Sequence, residues 1–152
     1  MLRQLKDSEG GVWTGRLRAK DLARIEDLVQ VPMDAAGKVL KGMDLTDINQ
    51  MQHFHLSAKI RREILVAWLQ PEWEQRKLSQ VDFEDLWEPE AVAEAMDFLE
   101  GRVIAFLSPP AQQAYRMFLT QMLEKITEPA ALSSILAAIG DNSSTASPGS
   151  SS

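Results

Sequence analysis

The chain has no cysteine, which excludes thiol catalysis, disulfides and Cys-ligated zinc. Only two histidines and one tyrosine occur in 152 residues, so few side chains are suited to proton transfer near neutral pH. No run approaches the roughly 18 apolar residues of a membrane span. The opening MLRQLKDSEGG also lacks the apolar core of a signal peptide. Gly-rich phosphate loops, a G-x-S-x-G elbow, recognisable catalytic carboxylate pairs and internal repeats are missing as well. The expectations are a soluble, cytoplasmic, non-enzymatic protein with no catalytic residue, no cofactor and no membrane partner.

What is present is an ordinary globular composition, 45% hydrophobic and 25% charged. A single domain of this length buries about two-thirds of its unfolded surface. The net charge of −6 is unevenly spread: residues 1–62 carry 11 Lys/Arg against 8 Asp/Glu, and residues 63–152 carry 5 against 14. That polarity argues against a nucleic-acid partner. Two basic groups, Arg16, Arg18, Lys20, Arg24 and Lys59, Arg61, Arg62, read as solvated helix faces that an acidic partner would also fit.

Apolar spacing gives the architecture. Alternation through Val12, Trp13, Thr14 and Gly15, with a turn at Gly10-Gly11, reads as a short strand or hairpin. From Ala19 the period becomes helical through Leu22, Ile25, Leu28 and Val29, ending before Pro32. A glycine-bearing loop with room for a second hairpin follows. The next helix is expected over residues 47–70, capped by Asp44 or Thr46 and stopped by Pro71. Trp73, Phe83, Leu86 and Trp87 then read as core anchors in an acidic stretch holding one short helix. That stretch lacks the spacing of a Ca²⁺ loop.

Pro89 opens a helix with Val92, Met96, Leu99, Val103 and Phe106 on one stripe. Pro109-Pro110 opens another with Ala111, Tyr115, Phe118, Leu119, Met122 and Ile126 on its core side. A last short amphipathic helix carries Leu132, Ile135, Leu136 and Ile139. The fold class is mainly α: a compact multi-helix domain over residues 1–140, with a short N-terminal strand or hairpin and a disordered Ser-rich tail over 141–152.

His53-Phe54-His55 holds both histidines, and whether they form a site governs the enzyme question. At about 100° per helical residue the two side chains project about 200° apart and cannot share a metal ion, which on a helix takes i, i+3 or i, i+4 pairs. No third ligand is apparent, so both read as partly exposed structural histidines, and no metal site is expected.

The opening GGVWTGRLRAKDLARIEDL, followed by a helical core of about a hundred residues and a polar low-complexity end, resembles the tail assembly chaperones of long-tailed phages and prophages. The resemblance lies in organisation, without a diagnostic motif. It implies a small helical protein that acts in virion assembly in the bacterial host cytoplasm. Such a protein holds the long helical tape measure protein until tail tube subunits replace it, and a fraction of it is extended by frameshifting near the C-terminus. Self-association is compatible with this role. The client face is expected on residues 110–139, with Leu132, Ile135, Leu136 and Ile139 as partner-binding residues. A helical adaptor or regulatory protein is an alternative, and so is a helical enzyme or ligand-binding domain. A pocket lined by His53 or His55 together with acids would reopen the enzyme or ligand-binding class.

Overall fold

The computed structural model describes residues 3–126, with the backbone alone for Lys125 and Ile126. The expected helix of Leu132, Ile135, Leu136 and Ile139 and the Ser-rich tail lie outside the described residues. Two antiparallel hairpins come first in the chain, β1 (Leu5–Lys6) with β2 (Val12–Trp13) and β3 (Gln30–Pro32) with β4 (Leu40–Gly42), separated by α1 (Ala19–Leu28). A 3₁₀ turn, Ile48–Gln50, leads into α2 (Met51–Leu56), α3 (Ala58–Trp68), α4 (Gln70–Gln75), α5 (Gln80–Glu84), α6 (Pro89–Phe106) and α7 (Pro109–Ile126). The described chain is mainly helical, as its apolar spacing predicts.

The first hairpin is organised by one buried carboxylate. Asp7 Oδ1 accepts the Glu9 and Gly11 N–H groups at 2.9 Å each, and Oδ2 accepts Trp13 Nε1–H at 2.8 Å. Gly10, at φ +84, makes the reversal that a side chain would resist. The hairpin is tied to the helices behind it at Ser8, whose N–H donates to Leu86 O and whose Oγ accepts Glu88 N–H. Beside it, Glu72 accepts the Thr14 and Gly15 N–H groups. Trp13, Trp73, Phe83 and Trp87 then pack as one aromatic cluster with ring centroids 5.2–6.1 Å apart. Such edge-on and offset rings stabilise beyond their area burial. Trp73, Phe83 and Trp87 are the aromatic anchors expected from the sequence, and Trp13 joins them from the hairpin.

The single helix expected over residues 47–70 is corrected by the structure. Asp47 caps the 3₁₀ turn by accepting Asn49 N–H, whereas Asp44 turns its carboxylate to Thr46. Ser57 then adopts an extended backbone (φ −99, ψ 111), and its Oγ accepts Ile60 N–H. A serine that offers its hydroxyl to a backbone donor starts a new helix in place of continuing the old one. The break gives α3 its own direction, with Ile60, Ile64, Leu65, Ala67 and Trp68 buried and Ala58 exposed. Pro71 lies in the first turn of α4, which supplies a second short helix in the acidic stretch.

α1 is fixed to α3 by Arg24, which donates to Ala67 O and Trp68 O and pairs with Asp21. One arginine of the first basic group is therefore turned inward. Asp21 is buried, which alone would raise its pKa. The Arg18 N–H, Arg24 and Arg18 side-chain bonds outweigh that and hold it below the usual carboxylate range. On α6, Val92, Met96, Leu99 and Val103 are buried as expected, but Phe106 is 47% exposed because the helix ends there and the chain turns into α7.

Candidate functional site: a polar cleft and the outer face of α7

The break at Ser57 separates the chemistry of α2 and α3 into two walls. α2 spans less than two turns, and its histidines diverge as the helical projection requires. His53 is 3% exposed, a correction to the expected partial exposure, because α2 turns it toward the backbone of Pro32. Burial holds its pKa below the usual imidazole value, opposed by the hydrogen bond to Pro32. The unfolded chain therefore takes up this proton first as pH falls. Stability from His53 is complete above about pH 6.5 and declines below it toward the lower folded-state value. Urea unfolding at pH 7.5 and 5.5 should show the native chain losing on the order of 1 kcal/mol more than His53→Gln over that interval. Equal losses would show that the imidazole is not neutral in the folded state.

His55 faces the other way, toward α6. Its Nε2 lies 2.5 Å from Glu100 Oε2, an ion pair when the imidazole is protonated, but outside hydrogen-bond alignment. The same oxygen accepts Tyr115 O–H at 2.9 Å, so Glu100 joins α2, α6 and α7 through one carboxylate. Tyr115 is fully buried. Burial, the Glu100 charge and that hydrogen bond all push its pKa up, so the phenol stays a donor. Arg61, on the first turns of α3, is half-buried, and its Nε is buried without a hydrogen-bond partner. Desolvation lowers its pKa, and the Glu100 charge opposes the shift.

These groups border a cleft of about 360 Å³ lined by His55, Arg61, Glu94, Asp97 and Glu100 over a floor that includes Phe54 and Met96. A pocket combining His55 with acids is the feature that reopens the enzyme or ligand-binding reading. Arg61 and Tyr115 read in the sequence as a solvated base and a core aromatic, and nothing local to either signals that they meet at Glu100. The cleft holds no metal-binding set: no group of three or more His, Cys, Asp or Glu side chains among the described residues could hold an ion.

The second feature is α7. Tyr115 and Met122 are buried and Phe118 and Leu119 half-buried against the core, which matches the expected stripe. On the outer side Met117 is 57% and Leu123 58% exposed, and Phe106 stands at the corner before the helix. None of the described helices is long and apolar enough to cross a membrane. The expected client residues Leu132, Ile135, Leu136 and Ile139 lie outside the described residues, so the described part of the expected 110–139 face is this helix. No protein-family model, curated protein or solved structure matches the chain.

Proposed function

We propose that the chain is a non-enzymatic assembly chaperone that binds a helical client, the tape measure protein of a phage tail, in the bacterial host cytoplasm until tail tube subunits replace it. The observation that carries this reading is α7: an 18-residue helix that packs one side on the core and leaves Met117 and Leu123 exposed, about 120° apart around its axis. A helical client lays its own apolar stripe against such a surface, and a flexible methionine adapts to different partner side chains. The resemblance in organisation to tail assembly chaperones supports the identity of the client. The acidic second half of the chain favours solubility and would steer a basic client face toward α7.

The test is co-expression with a phage tape measure protein, followed by affinity measurement. Met117→Ser with Leu123→Ser should weaken the complex at least about tenfold, or 1.4 kcal/mol. Stability should change by under about 1 kcal/mol, because both side chains are exposed. Leu132→Ser with Leu136→Ser locates the rest of the face. Lost binding with a retained fold extends it beyond α7, global unfolding assigns those leucines to the core, and an unchanged complex confines the face to α7. Client binding that survives the α7 double substitution at full affinity overturns the proposal.

A further inference from the structure

Four buried side-chain polar atoms among the described residues have no hydrogen-bond partner, and two of them, Arg61 Nε and His55 Nε2, belong to the cleft between α2–α3 and α6. A buried donor without an acceptor costs about 1–3 kcal/mol, more when it is charged. One such donor, Arg61 Nε, is a feature that packing alone does not favour, since His55 Nε2 lies 2.5 Å from Glu100 Oε2. Arg61 makes no ion pair, although acids line the same cleft. Glu100 is engaged by Tyr115 and His55, and Asp97 pairs with Arg3 at 3.0 Å. Glu94, exposed on the α6 wall, has no hydrogen bond or ion pair. The cleft thus presents a guanidinium that feels the Glu100 charge but makes no hydrogen bond through Nε, and an unpaired Glu94 carboxylate, on different walls and not bonded to each other.

From this juxtaposition we infer that the cleft binds a ligand bearing a carboxylate next to a cationic group, the carboxylate on Arg61 and the cation on Glu94. The planar guanidinium fork matches a carboxylate with two parallel N–H···O bonds. Simpler ligands fit less well. A phosphate dianion meets three carboxylates, a lone carboxylate leaves Glu94 repelling it, and a lone amine leaves Arg61 unpaired. The volume of about 360 Å³ falls within the range of small-ligand pockets, which join a few placed polar groups to an apolar lining. Phe54, Ala93 and Met96 supply that lining here. The site lies apart from the outer face of α7 and does not depend on the client reading.

The paired charges come either from a free amino acid or from a Glu and a Lys one turn apart on a partner helix, and titration of the full chain distinguishes the two. The probes are L-leucine, a helical peptide with Glu and Lys at i, i+4, and acetate and propylamine as the separate halves, followed by NMR shifts of the α2, α3 and α6 amides. One zwitterionic probe should bind, and each half should bind at least about tenfold more weakly. Arg61→Gln and Glu94→Gln should each weaken the complex at least about tenfold. Glu94 is exposed, so its substitution leaves the fold intact and keeps the test valid even where Arg61→Gln disturbs packing. Binding of leucine assigns a small-molecule ligand, and binding of the peptide assigns a protein side-chain pair. The inference is overturned if neither probe binds up to about 10 mM, if acetate alone binds as tightly as a zwitterion, or if Glu94→Gln binds like the native chain.

Discussion

Trp68→Ala should cost about 4 kcal/mol of folding stability, the middle of the range for deleting a large buried aromatic. The indole sits at the last turn of α3 and is 1% exposed. It touches both α6 and the segment before α1. Its Nε1–H donates to Arg16 O at 2.9 Å, its ring lies 6.2 Å from that of Phe98 on α6, and Gly15 approaches so closely that an added Cβ would meet Trp68 Cζ2 at 3.0 Å. Gly15 has φ +63, a conformation that a β-carbon also disfavours, so the backbone cannot readily shift to fill the void. For a domain of this size the loss corresponds to a melting temperature lower by on the order of 10 °C. A urea midpoint shifted by less than 1 kcal/mol equivalent would show that Trp68 is not the junction between the N-terminal segment and the helices.

Asp7→Ala should cost about 3 kcal/mol through a different mechanism. It creates little cavity but removes the acceptor from three donors at once, the N–H groups of Glu9 and Gly11 and the Trp13 indole. Charge-assisted bonds of this kind contribute about 1.5–3 kcal/mol each, and partial solvation of the loop offsets part of the sum. Asp7→Asn should fall between the two, since one oxygen remains to accept while the amide nitrogen cannot take the indole proton. Because Trp13 packs edge-on against Phe83 at 5.2 Å, the loss should appear in near-ultraviolet circular dichroism of the aromatic cluster as well as in the unfolding midpoint. Equal stability of native chain and Asp7→Ala would mean that the aromatic cluster alone holds the hairpin.

How much of this was legible in the sequence depends on the range of the interaction. Turns and helix starts set by one or two residues were readable: Gly10-Gly11 in the first hairpin, and the prolines that open α6 and α7. The break at Ser57 was not. Apolar spacing runs through it without a phase change, and a serine hydroxyl can point to solvent as well as to a backbone N–H. The divergence of His53 and His55 followed from helical projection, but the burial of His53 depended on the β3 backbone at Pro32, which no local pattern encodes. The cleft was the least legible feature. Its groups come from α2, α3 and α6, and the acid that links them to α7, Glu100, is one of ten acids between residues 72 and 100. Nothing in its immediate neighbours separates it from the solvated ones. The exposed face of α7 was partly legible, since Met117 and Leu123 fall outside the stripe of Tyr115, Phe118, Leu119 and Met122.

Hydrogen exchange of the chain alone and in complex with the co-expressed helical client tests the client surface most directly. The outer face of α7 is proposed to bind the client, so amides of residues 109–126 should gain protection in the complex by at least about tenfold, while the amides of β1 and β2 stay unchanged. Protection confined to the hairpins, or to the cleft of α2, α3 and α6, with α7 exchanging as in the free chain, would contradict it.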